Sequence, residues 1–173
     1  MKKLFVVIPL VFLLFVSSSH WLIASDSTSF EQVKADDADA LKGVKVGKVV
    51  FDINSKDPMI CAMYLQVIKL TYDDMVRQNV KPDMILAFRG YAVTYISKDR
   101  ERFEAKDSEH LDKVAEVIAD LIEKGVKIES CAIAMNGQKV KQESLLEGIK
   151  TVGNTFISLM GYQIQGYGVI PIY

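Results

Sequence analysis

Residues 107–131 read DSEHLDKVAEVIADLIEKGVKIESC. Two elements abut here, with a single glycine between them. Leu111, Val114, Ala115, Ile118, Leu121 and Ile122 share one apolar face at helical spacing, so the first element is an amphipathic helix capped by Asp107 or Ser108. Glu109 with Lys113, and Asp120 with Lys124, stand at i,i+4 on its wet side, where helical ion pairs form. Gly125 supplies the left-handed stop. Val126 to Cys131 (VKIESC) then predicts a strand.

Working outward, the alternation repeats. Upstream, KVVFDI (residues 48–53) is a β-rich apolar run followed by a loop. Asp57 suits a helix cap and Pro58 the first helical turn. Ile60, Met63, Tyr64, Val67, Met75 and Val76 recur at helical spacing until Asn79, ahead of Lys81-Pro82. DMILAF (residues 83–88) predicts a second strand, broken by Arg89-Gly90. Residues 91–96 fit either a short helix or a lid-like segment, and residues 97–106 are dense in charge and expected to be exposed. Downstream, Asn136-Gly137 predicts a turn and residues 144–149 a short helix. Thr151-Val152 then predicts a small strand, residues 156–160 a last helix and residues 162–172 a final strand. Strands alternating with helices imply an α/β fold, with a mainly parallel sheet between two helical layers. Ligands and reactive groups in such sheets collect outside the carboxyl ends of the strands.

Composition narrows the chemistry. The chain has 173 residues, 50% hydrophobic and 25% charged, which excludes disorder and leaves room for one domain with a full core. Its net charge of −1 argues against a general nucleic-acid binder. It carries no dinucleotide, P-loop, zincin or nucleophile-elbow motif, and nothing in it asks for a cofactor. With two cysteines and two histidines, a four-ligand Cys/His site would consume all of them, so no metal site is expected.

Residues 1–24 read as a signal peptide. Lys2 and Lys3 precede a thirteen-residue apolar run from Leu4 to Val16, the length of a secretory core and short of a membrane span. Cleavage after Ala24 is the first choice and cleavage after Ser19 the alternative; an uncleaved anchor, extended by Trp21, Leu22 and Ile23, is the rival reading. Cleavage would remove two lysines, take the charge from −1 to −3, and leave His110 as the single histidine. That places the protein in the periplasm or outside the cell, without stable membrane insertion, in a compartment where thiols can pair. Residues 25–47, with acidic Asp36, Asp37 and Asp39, read as a polar linker, and residues 48–173 as the domain.

Four positions are candidates for function. Cys131 ends its predicted strand at the sheet's functional edge, where the free N–H groups of a following helix would favour a thiolate. The plain alternative is a small buried core residue. Cys61 lies in the first turn of its predicted helix, at the same edge. It is either core packing or a second thiol, and a disulfide to Cys131 stays open. Arg89-Gly90 closes the second strand, either as a plain turn or as a cationic site for an anionic sulfur species or a carboxylate. His110 is expected to be solvent-exposed.

These residues carry a resemblance. GVKIESCAIAMNG (residues 125–137), the Asp57-Pro58 helix start, Phe88-Arg89-Gly90 and the closing FISLMGYQIQGY (residues 156–167) together resemble the DsrE/DsrF-like family, over residues 48–173. The resemblance implies a compact three-layer α/β/α domain of a kind that commonly assembles as a homotrimer or hexamer, or as a hetero-oligomer with related subunits, a homo-oligomer being the expectation here. It also implies a persulfide on Cys131 during sulfur relay, with a sulfur-donor or acceptor protein as partner. Arg89-Gly90 stands where secreted relatives often carry His-Gly. Two functions follow as expectations. One is a periplasmic sulfur carrier or thiol redox protein using Cys131. The other is an oligomeric binding or assembly module that keeps the fold without the relay. The C-terminal end carries no charge after Lys150 and is rich in tyrosine and isoleucine, so it is either a central strand buried on both faces or part of a subunit interface.

Overall fold

The computed structural model describes residues 35–173. The expected signal peptide, residues 1–24, and residues 25–34 of the expected linker therefore lie outside the described residues. Five strands form one parallel sheet: β1 (Val46–Ile53), β2 (Lys81–Phe88), β3 (Lys127–Cys131), β4 (Lys150–Val152) and β5 (Gly168–Ile172), in the order β4-β3-β2-β1-β5. Four α-helices connect them: α1 (Pro58–Arg77), α2 (Ser108–Glu123), α3 (Ala132–Gln138) and α4 (Thr155–Ile164). Side chains from α1, α2 and α3 pack with Phe51, Ile53, Leu86, Phe88 and Ile128 on one face of the sheet. Leu159 and Tyr162 of α4 join Val50, Ile85, Ala87 and Tyr167 on the other. This is the expected three-layer α/β/α arrangement.

Local chemistry explains the first half of the chain. The Asp57 side chain accepts from the N–H groups of Met59 and Ile60, at 2.8 and 3.1 Å, and Pro58 opens α1 where no N–H partner is needed. The buried face of α1 differs from expectation. Cys61, Ala62, Leu65 and Ile68 point inward, while Met63, Tyr64, Val67 and Val76 are exposed. The first three turns of α1 are apolar on nearly every side, so spacing alone does not select a face; docking against α2 and the sheet does. The two ion pairs expected within α2 are replaced as well. Lys113 pairs with Glu116, Asp120 with Lys69 at 3.2 Å, and Lys124 with Asp73 at 3.4 Å. Two of these three bridge α1 and α2, because a neighbouring helix brings partners that spacing within one helix cannot reveal.

The second half departs further. Residues 91–96 are not a lid. A 3-10 turn at Gly90–Thr94 buries Ala92, Val93 and Thr94, and Tyr95 and Ile96 continue into the core. Asn136-Gly137 lies inside α3 rather than in a turn; the helix ends instead on Lys139, which takes the left-handed conformation at φ 56°. Residues 144–149 form no α-helix; a 3-10 turn occupies Gln142–Ser144. Residues 162–164 belong to α4, and the final strand is confined to β5. That strand pairs only with β1, so it is an edge strand and the central-strand reading fails. Ahead of β1, the acidic lead-in is tied down in part: Asp37 N–H donates to Gln78 Oε1 at 2.7 Å, and Gln78 Nε2 to Asp37 Oδ2 at 2.9 Å. Among the described residues no helix is long and apolar enough to cross a membrane.

Candidate functional site

A pocket of about 320 Å³ opens at the carboxyl ends of β2 and β3, lined by Arg89, Gly90, Cys131, Ile133, Asn154 and Thr155, with Ala134 and Phe156 beside them. Cys131 is both the last residue of β3 and the N-cap of α3. No loop separates strand from helix, so the sulfur meets the first free N–H groups of α3. A second helix converges on it: Asn154 caps α4 by accepting from Phe156 N–H at 2.9 Å, and this turn aims Thr155 at the same sulfur.

Burial pushes the Cys131 thiol up. Hydrogen bonds from Thr155 N–H, Ala134 N–H, the Thr155 hydroxyl and Ile133 N–H outweigh it, and the pKa falls below the ordinary cysteine value. Only the thiolate accepts all of these bonds well, so the site is built for an anion on sulfur.

Arg89 lines the same pocket, but its guanidinium is partly committed. Its Nε donates to Asp52 Oδ1 at 2.6 Å and its Nη2 to Asp52 Oδ2 at 2.9 Å, a bidentate pair. The bond to Asp52 raises the Arg89 pKa further. The guanidinium also lies 5.4 Å from the centroid of the Phe156 ring. Gly90 follows at φ +57°, and a β-carbon there would run into the Asn54 side-chain oxygen. The left-handed φ favours glycine, whereas the Asn54 oxygen is the end of a side chain that can turn aside. Gly90→Ala is therefore expected to cost about 1–2 kcal/mol in denaturant unfolding. An unchanged midpoint would contradict this account of the turn.

Cys61 takes no part in the site. It is fully buried beneath α1, and burial pushes its thiol up to about 12. Both cysteines are free, so the disulfide left open by the sequence is not formed in this structure. His110 is half-buried rather than exposed and lines a groove between α1 and α2, away from the Cys131 pocket. Among the described residues no group of three His, Cys, Asp or Glu side chains is placed to hold a metal ion.

Sequence reading missed Asp52, Asn154, Thr155 and Ile133 as members of the site. Asn154-Thr155 carries a readable cap signal. Asp52 is an acid inside an apolar strand, but its pairing with Arg89 emerges only from the β1–β2 register, which sets Ile53 opposite Phe88. Two tyrosines fix α4 over this face. Tyr162 donates to Glu129 Oε1 at 2.7 Å, and Tyr167 to Asp83 Oδ2 at 2.8 Å.

The model of the DsrE/DsrF-like family matches residues 48–172, from β1 through β5. The chain belongs to the DsrE/DsrF-like family. Two solved structures are similar in fold to this DsrE/DsrF-like chain. One is MTH1491 from Methanobacterium thermoautotrophicum, a protein of unknown function. It is 17% identical with a TM-score of 0.58, and the match covers 72% of this chain and 98% of that one. The other is the ychN protein of E. coli, 14% identical with a TM-score of 0.52, covering 73% of this chain and 99% of that one. At these identities the likeness concerns the fold alone. No curated protein matches the chain.

Proposed function

We propose that this DsrE/DsrF-like protein is an exported sulfur carrier that holds a persulfide on Cys131. The observation that carries the reading is the place of Cys131, at once the end of β3 and the N-cap of α3, in the wall of a pocket that Thr155 at the start of α4 also lines. With thiosulfate as donor, the Cys131 thiolate attacks the outer sulfur. A Cys131 S–S bond forms, the donor's S–S bond breaks, and sulfite leaves with the electron pair. A thiolate on an acceptor protein then attacks the outer sulfur of the persulfide, and Cys131 leaves as thiolate. The surroundings that lower the Cys131 pKa favour its thiolate both as the attacking group and as the leaving group. Export rests on the basic start and apolar run of residues 1–24.

Mass spectrometry after incubation with thiosulfate or polysulfide tests the reading. A species about 32 Da heavier, one added sulfur, is expected, and it should disappear on reduction and in Cys131→Ser. Absence of the adduct with either donor defeats the carrier function. Cys131→Ser protein that keeps its partners and phenotype would favour the binding-module alternative, for which the pocket's lack of histidine speaks.

We also propose a homo-oligomer. Phe156, Ile157, Met160 and Ile164 of α4 are 53–78% exposed, and Tyr173 is 67% exposed beside the β5 edge. Such a contiguous apolar surface on a chain of low net charge supports burial against another subunit. Light scattering after size exclusion should give a mass of several chains; the mass of a single chain would overturn the proposal.

A further inference from the structure

We propose that Met59, Met63 and His110 form a binding site for a soft monovalent metal ion, Cu(I). Met59 and Met63 are one helical turn apart on α1, so their side chains emerge on the same face as neighbours. They are 50% and 46% exposed, on the opposite side from the buried Cys61, Leu65 and Ile68, and the core does not account for them. His110, in the first turn of α2, lines the same groove of about 240 Å³ between the two helices. Neither ring nitrogen of His110 hydrogen-bonds to another described residue, so the imidazole is free to ligate.

The donor set selects the ion. Two thioethers and one imidazole are soft or borderline ligands and suit Cu(I), whereas Ca²⁺ and Mg²⁺ require oxygen donors. Unbranched methionine chains can swing their sulfurs together without moving the backbone. Charge in the groove agrees. Glu109 lines it and offers a balancing carboxylate, while Lys113, its one lysine, is held by Glu116 at 2.5 Å. The site shares no lining residue with the Cys131 pocket and does not depend on the sulfur-carrier reading.

The test uses Cys131→Ser protein, so that the reactive thiol cannot capture the metal; Cys61 is fully buried. Cu(I) is titrated without oxygen against the chromogenic chelator bicinchoninate. Uptake of one Cu(I) per chain is expected, weakened roughly tenfold or more by Met63→Leu and by His110→Gln. Both substitutions lie outside the core, and circular dichroism checks that they fold. In the same protein with labelled methionine methyls, Ag(I) should move the Met59 and Met63 signals and leave those of Met84 and Met135, which are buried. No uptake, uptake that both substitutions leave unchanged, or methyl shifts confined to other methionines would each overturn the assignment.

Discussion

Arg89→Met should lose about 3 kcal/mol of folding stability, because it strands a buried carboxylate. Asp52 is 6% exposed on β1, an interior strand of the sheet. Its partners in register are Ala87 on β2 and Pro171 on β5, and neither offers a charge. Arg89 therefore supplies the cation that compensates Asp52, through two bonds in a fork that methionine cannot make. An exposed ion pair would contribute less than about 1 kcal/mol, but here the side chains are only 19% and 8% accessible. The double variant Asp52→Leu with Arg89→Met removes both charges together and should lose less than Arg89→Met alone. Denaturant unfolding of the three proteins decides it. A loss within about 0.5 kcal/mol for Arg89→Met would mean that the pair is solvated and contributes little. The pair also bears on the pocket: a guanidinium fixed by Asp52 keeps the β2 turn in place and presents to the pocket only the charge that Asp52 leaves uncompensated.

The main frame of the fold was legible because its signals are local. Asp57-Pro58 marks the start of α1, and the apolar face of residues 111–122 marks α2 with Gly125 as its stop. β1, β2 and β3 are short β-rich runs between breakers. Their order along the chain already implied a parallel sheet, and with it the edge where Cys131 and Arg89-Gly90 lie. What escaped was decided by packing across elements. The inward face of α1 could not be read from a helix whose first turns are apolar nearly all round. The turn tendency of Asn136-Gly137 lost to α3, which continues without a break from the end of β3. Residues 162–164 look like strand by composition, yet α4 continues through them until Gly166, at φ +87°, turns the chain into β5. The site divided along the same line. Cys131 was visible as a strand end, whereas Thr155 reaches it from 24 positions away, and Asp52 meets Arg89 from 37 positions away, only once the sheet is assembled.

Alkylation of Cys131 should follow a pH profile whose midpoint lies below that of an ordinary cysteine, and Thr155→Val should raise that midpoint. The thiolate is the reacting form, so the rate tracks its fraction. Burial alone would raise the pKa; the bonds from Thr155 N–H, Ala134 N–H, the Thr155 hydroxyl and Ile133 N–H bring it down. Valine keeps the shape and the N–H of residue 155 and removes only the hydroxyl. A hydrogen bond to a charged group is worth roughly 1.5 kcal/mol or more, so the variant should react about tenfold more slowly below its midpoint. Cys61 does not interfere, since its thiol is fully buried and pushed up to about 12. The same linkage sets a sign for stability. A thiol whose folded pKa lies below its unfolded value stabilises the fold fully above the unfolded value, and that contribution fades as pH falls through the folded pKa. Wild type should therefore gain stability relative to Cys131→Ser on going from mildly acidic to alkaline pH, and Thr155→Val should reduce the gain. An alkylation midpoint equal to that of an unfolded cysteine, unmoved by Thr155→Val, would mean that the donors around Cys131 do not hold a thiolate.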